Sequence, residues 1–403
     1  MAVMVFEDSE SRDPKRYLWI MGTIAPGCAL LPVILVTVTG LQLFWWIGPI
    51  IVFLLIPLLD LAIGDDHSNV RDEDYESLSE DRYYRWCTYL FLPLQLTGLI
   101  VAGYLWSDIG LNLLDKIGLA ATLGVVSGIG INAAHELGHR SEHLERRMAK
   151  LALAQSGYGH FYVEHNRGHH VRVATPADPA SGRMGESLWE FLPRTIFGGL
   201  RSAWTLERER LSRKDKPWFS PGNHILQAWS LTSALFATMI LAFGHVIIPF
   251  LLLQALIGIV LVEAVNYIEH YGLLRPRRPD GRFARCSPRD SWNSDRLVTN
   301  VFLFHLQRHS DHHINPGRRY HTLRGYEQAP QLPGGYASMI LLAAVPPLWR
   351  AVMDHRVLAL YGGDIALVNT KPAPHRRLPR LRRRTGRRRG GGGPPVLSPA
   401  DSR

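Results

Sequence analysis

The sequence predicts an all-α membrane protein: six transmembrane helices carrying a cytoplasmic, histidine-rich helical cap. Three observations lead there. Hydrophobic residues make up 46% of the 403 and fall in blocks, six of which reach or approach the roughly 20 apolar residues that a helix needs to cross a hydrocarbon core. The basic residues collect in alternate connecting segments. Nine of the 18 histidines fall into four short clusters, each beside an apolar run.

In chain order, residues 1–16 are polar and acidic up to Lys15-Arg16, and form a cytoplasmic N-terminal tail. They lack a short apolar region ending in a small-residue cleavage site, so no removed signal peptide is expected. Residues 17–134 hold helices 1–4, near 17–40, 41–64, 86–106 and 116–134. Residues 135–224 form a loop with the first two histidine clusters, 225–268 hold helices 5 and 6 (225–243 and 246–267), and 269–375 form the rest of the cap. The spans make three hairpins, turning at Thr39-Gly40, at 107–115 and at Gly244-His245. Nearly every Lys and Arg lies in the N-terminus, in 65–85, in 135–224 or after 270, while Lys116 is almost alone in the short turns. Basic residues mark the cytoplasmic side, which places both termini and all four histidine clusters there. The stretch 336–353 is apolar but contains Pro346-Pro347 and Arg350, so a re-entrant or interfacial helix is expected. The Arg- and Gly-rich tail, 376–403, has no means of burying a core and is expected to be disordered.

Cys28, Cys87 and Cys286 are far apart, which argues against a disulfide framework, a zinc ribbon, an iron–sulfur cluster or a rubredoxin-type iron site. Lys and Arg total 45 against 35 Asp and Glu. Most of that excess is on the cytoplasmic side, where it sets topology. No nucleic-acid partner is expected.

The histidine clusters are His135 and His139 in H-E-L-G-H, His165, His169 and His170 in H-N-R-G-H-H, His270 in N-Y-I-E-H-Y-G, and His309, His312 and His313 in H-S-D-H-H. Imidazole is the commonest neutral metal ligand, and nine rings exceed what one ion holds. Residues three and four apart share a helix face. That pairs His135 with His139, His165 with His169, and His309 with both His312 and His313. Neighbours in a doublet point about 100° apart on a helix of 3.6 residues per turn, so each doublet can serve two ions. Four or five imidazoles on each of two metals accounts for all nine. Glu136, Glu164, Glu269 and Asp311 sit beside these residues and can accept the second ring N–H. A lone histidine is usually an ordinary surface or core residue. His67, His143, His224, His245, His321, His355 and His375 are read that way, and His160 and His305 as neighbours of the site.

Imidazole suits zinc, copper, iron and nickel alike. His135-Glu136-Leu137-Gly138-His139 also fits H-E-x-x-H, the zinc-protease motif in which the glutamate activates water. That reading leaves six or seven clustered histidines idle. A metal transporter would carry ionisable residues inside its spans, and almost none occur between their ends.

The segments N-A-A-H-E-L-G-H-R (132–140), E-H-N-R-G-H-H (164–170), N-Y-I-E-H-Y-G-L-L-R (266–275) and L-Q-R-H-S-D-H-H (306–313) resemble the bacterial integral-membrane alkane 1-monooxygenases. The likeness runs from about Tyr17 to Gly363 and is most specific at N-Y-I-E-H-Y-G. The three histidine boxes alone are shared with membrane fatty-acid desaturases and related lipid hydroxylases, which is the alternative reading. The resemblance implies a di-iron site with all nine clustered histidines as ligands. It implies terminal hydroxylation of a linear alkane by O₂ to a 1-alkanol. It implies electrons from reduced rubredoxin, itself served by an NAD(P)H-dependent rubredoxin reductase. The bacterial inner membrane is the implied location. Relatives with a fused rubredoxin have a cysteine pattern absent here, so a separate donor is expected. An alkane partitions into the bilayer, so apolar spans can form a slot leading to the metals. The second span offers a candidate lining in Trp45, Trp46, Val52, Phe53 and Leu55, with Val52 as a gate.

Overall fold

A computed structural model describes residues 13–107 and 110–372, and among them every element beyond isolated bridges is helical. The tail expected at 376–403, most of the N-terminal tail, and His375 lie outside the described residues. Five helices are long and apolar enough to cross a membrane, or up to seven if each of two bent pairs is one span.

The first bent pair is α1 (Arg16–Gly27) and α2 (Leu31–Thr39), which meet at 71°. The continuous helix expected over 17–40 is therefore broken. Pro26 and Pro32 flank the break and each withdraws a backbone donor. Then come α3 (Gln42–Ile63), α4 (Arg82–Ser107) and α5 (Leu113–Gly138), all in the range of spans. Asn112 caps α5 by accepting from the Asp115 amide at 2.9 Å. A shorter helical segment, α6, covers 161–172. The long helix α7 (Leu188–Ser212) starts with a capping box between Ser187 and Glu190. Two more spans follow, α8 (His224–Phe243) and α9 (His245–His270). Short helices α10 (Leu297–Phe302) and α11 (His309–Ile314) precede the second bent pair, α12 (Tyr336–Ala343) and α13 (Pro346–Leu360). That pair meets at 118° with Pro346 opening α13, the geometry of a re-entrant segment or a broken span.

The centre of the fold is α5, 89% of whose most apolar window is buried, against 17% for α3 and α8. In lipid the hydrophobic effect gives helices little reason to associate, so close packing between small residues takes over. A Cβ on Gly124 of α5 would lie 2.5 Å from the Ile257 Cβ of α9, and one on Gly258 would lie 2.8 Å from the Ser127 hydroxyl. These glycines let α5 and α9 lie against each other. Both helices end at the histidine clusters, α5 with His135 in its last turn and α9 with His270 as its last residue.

Candidate metal centre

Four elements bring the nine clustered histidines together: the end of α5, α6, the last residue of α9, and α11. They form two groups. His135, His139, His165, His170 and His312 each offer a ring nitrogen within 4.8 Å of one another, and so do His169, His270, His309 and His313. In the first group the Nε2 atoms of His135 and His312 are 2.8 Å apart, those of His312 and His170 3.0 Å, and those of His170 and His165 3.0 Å. In the second, the Nε2 atoms of His309 and His313 are 2.9 Å apart. The buried Nε2 atoms of His139, His169 and His270 have no partner. One N–H can bridge two rings, but it cannot reconcile five lone pairs aimed at one point. Buried donor atoms left orphaned in this way fit a metal ion in each group.

Burial also holds His139, His165, His170, His309, His312 and His313 neutral, well below the ordinary imidazole range. The neutral ring is the form that ligates. The groups are adjacent, with the His170 and His313 ring centroids 4.4 Å apart.

Each doublet divides between the groups. His169 and His170 have ring planes 83° apart, and His312 and His313 73°. The pairing expected from α-helical spacing fails at two places. Residues His165–His169 form a turn of π-helix, and His165 meets His170, not His169, at Nε2. A π-turn closes i→i+5, which carries His169 to the other group. In the α-helix α11, His309 stays with His313 four residues on, while His312, also expected beside it, crosses to the other group.

The flanking carboxylates behave differently from one another. Glu269 Oε2 lies 3.2 Å from His309 Nε2, on the side of the ring that faces the group rather than behind it. The other three depart from the expected ring contacts. Glu136 accepts from Arg140 Nη2 at 2.6 Å and from the Tyr320 amide. Glu164 accepts from Arg172 at 2.7 Å, and burial pushes its carboxyl up to about 7. Asp311 takes both oxygens to Arg318 and also accepts from Asn315, Arg324 and Tyr326. Sequence adjacency does not fix direction, and these carboxylates were captured by nearby arginines. The placement of Glu136 also removes the support for a protease reading.

The ring contact that spacing missed is Asp178. Its Oδ2 is 2.9 Å from His169 Nδ1, both groups are buried, and Ser181 donates to the same oxygen at 2.6 Å. The only sequence signal was an aspartate between small residues and prolines in A-T-P-A-D-P-A-S. His270 has a similar support, its Nδ1 lying 3.3 Å from the Asp290 carbonyl. Such contacts fix tautomer and ring direction. Asp178→Ala is expected to weaken metal retention about 10–100-fold. Titration with a chelator checks this, and unaltered retention would remove Asp178 from the role.

The remaining histidines sit elsewhere. His143, His67, His245 and His355 are exposed, His224 contacts Lys150, and His321 stacks on Tyr84. His305 packs on Trp19 and faces the Tyr320 carbonyl, away from both groups. His160 lies against Tyr158, and burial pushes it down to about 4.

An apolar cavity is walled by Val52, Ile56, Val125, Ile129, Leu261 and Phe302, with Asn132, Leu306 and Tyr336 also lining it. Asn132 is one turn before His135, and Leu306 is three residues before His309, so this lining adjoins the histidines. A smaller space shares Val52, Ile56, Val125, Ile129 and Phe302 and reaches Ala25, Cys28 and Gly48. Of the lining expected from the second span, Val52 is present. Trp45 is buried in a neighbouring cluster and the Trp46 indole fills the space beside Gly118, while Phe53 and Leu55 do not line the cavity.

Residues 116–343 match the fatty acid desaturase family. Over 363 residues the sequence is 45% identical to an alkane 1-monooxygenase of Acinetobacter baylyi, covering 89% of each chain. It is 43% identical to alkane 1-monooxygenase 1 of Alcanivorax borkumensis, again over 89% of each. It is 29% identical to the xylene/toluene monooxygenase hydroxylase component of Pseudomonas putida, over 66% of this chain and 71% of that one.

Proposed function

Because this chain belongs to the fatty acid desaturase family, in its alkane 1-monooxygenase branch, we propose that it hydroxylates the terminal methyl of linear alkanes. One atom of O₂ enters the C–H bond and the other leaves as water, at the cost of two electrons and two protons. Two irons held by the nine histidines would supply the activation of O₂. Glu269 offers an oxygen donor beside the second group. Reduced rubredoxin, recharged by its NAD(P)H-dependent reductase, is the electron donor in this reading. The protein lies in the bacterial inner membrane with both termini and the metal site in the cytoplasm, and its parts divide at 16, 134, 224, 268 and 375. Six spans carry a cytoplasmic cap that holds the irons.

The observation that carries this reading is the placement of nine imidazoles, in two adjacent groups, next to a cavity walled by hydrocarbon side chains. The chain's own residues have separate tasks. Neutral imidazoles hold the metals, and Asp178 and the Asp290 carbonyl orient two of them. The cavity wall excludes water and leaves a chain with no polar handle lying against Val52 and Ile56. A membrane lipid desaturase or hydroxylase using the same metals is the alternative, and product analysis separates the two. Given octane to hexadecane with rubredoxin, its reductase and ¹⁸O₂, the purified protein is expected to yield labelled 1-alkanols. Alkenes, or products from acyl lipids only, would overturn the assignment.

Val52 faces the part of the cavity shared with the smaller space. Val52→Trp fills it and is expected to move the product range to shorter alkanes, with the metal content intact. An unchanged range of products by gas chromatography would remove Val52 as the gate.

A further inference from the structure

A second buried space, smaller than the first, touches the histidines from another direction and differs in bringing six polar side chains to its wall. It borders His165 from one group and His169 from the other. Its polar wall is Tyr158, His160, Glu164, Thr195, Glu263 and Asn266. All six are buried. Glu263 lies within the span α9, seven residues before His270, where a carboxyl group is costly unless it has a use. It accepts from the Tyr158 hydroxyl at 2.7 Å, from the Thr195 hydroxyl at 2.7 Å and from the Asn266 amide at 3.2 Å. Two wall atoms have no protein partner, His160 Nε2 and Glu164 Oε2. Phe161, Pro179 and Ala180 also line the space, but the two unpartnered polar atoms give a water molecule the anchors that a dry, wholly apolar cavity lacks. The wall also leads outward. Glu164 accepts from Arg172, which donates to Ser202 as well, and the Arg172 side chain is 29% exposed.

We propose that this chamber is a water-filled proton inlet, with Glu263 and its Tyr158 partner as the inner relay to the histidine groups. The inference rests on the monooxygenase reading, which sets the demand: RH + O₂ + 2e⁻ + 2H⁺ → ROH + H₂O. The electrons come one at a time from the protein carrier, and the protons come from bulk water. The hydrocarbon cavity that receives the alkane cannot pass protons, whereas this chamber meets both groups, and its wall residue Glu164 pairs with the partly exposed Arg172. Glu263 and Tyr158 are positioning residues, since they act through water rather than on the substrate.

Two measurements test this. X-ray radiolysis of the wild-type protein in H₂¹⁸O labels buried side chains next to bound water, and is read without turnover. Label at Tyr158 and His160 is expected; unlabelled residues would mean a dry chamber and end the proposal. Glu263→Gln keeps the shape and loses the carried proton. It is expected to keep its metals and its KM for alkane, to lower kcat about a hundredfold, and to raise the solvent deuterium isotope effect. A variant with full metal content and unchanged kcat and isotope effect would overturn the relay. If Glu263→Gln fails to fold, Tyr158→Phe is read in the same way, with about a tenfold loss expected. If the wild type makes no alcohol in the same assay, the functional reading fails, and the labelling result still decides whether the chamber holds water.

Discussion

His270→Ala is expected to abolish alkane hydroxylation and to release about one metal ion per chain while the other is retained. His270 is the sole histidine contributed by α9 to its group of four, and its ring is fully enclosed. Alanine leaves three imidazoles and the Glu269 carboxylate around that ion. The group of five loses nothing, since its rings come from α5, α6 and α11. Metal analysis of the purified variant checks the split, and His143→Ala, which alters an exposed ring one turn beyond His139, is expected to leave both metals and activity intact. Full activity in His270→Ala would break the ligand assignment.

Glu136→Ala is expected to cost about 3 kcal/mol of stability, because removing one partner from a buried ion pair strands the other charge. Arg140 is 4% exposed and pinned between the Glu136 carboxylate and the Gly317 and Arg318 carbonyls. The pair therefore ties the end of α5 to the segment that follows α11. A fall in the thermal midpoint of the purified protein checks this. Glu136→Gln keeps a hydrogen-bonding group for Arg140 and is expected to hydroxylate alkane. A variant with bound metal and a normal midpoint but no turnover would instead place Glu136 in the chemistry, as the H-E-x-x-H reading requires.

Much of this was legible in the residues. Apolar length located α3, α4, α5, α8 and α9, because hydropathy over some 20 residues is what a span requires. It could not foresee the 71° break between α1 and α2, since the composition there is apolar on both sides and only prolines mark it. The nine histidines were legible as a set, and so was the division of each doublet between two groups. Their partition was not. A regular helix puts His165 with His169, and a single π-turn reverses that pairing. Three of four neighbouring carboxylates turned to arginines that lie as far away in sequence as Asp311 to Arg318 or Glu164 to Arg172. Asp178 and Glu263 were passed over because each meets its partner across a loop or between helices, where no periodicity in the chain points to it.

The central claim is that these rings hold two irons, and a metal count on the purified, full-length protein tests it most directly. Two irons per chain, falling to about one in His270→Ala, is the expected result. One zinc per chain with no iron, or a single metal that survives the loss of His270, would contradict it.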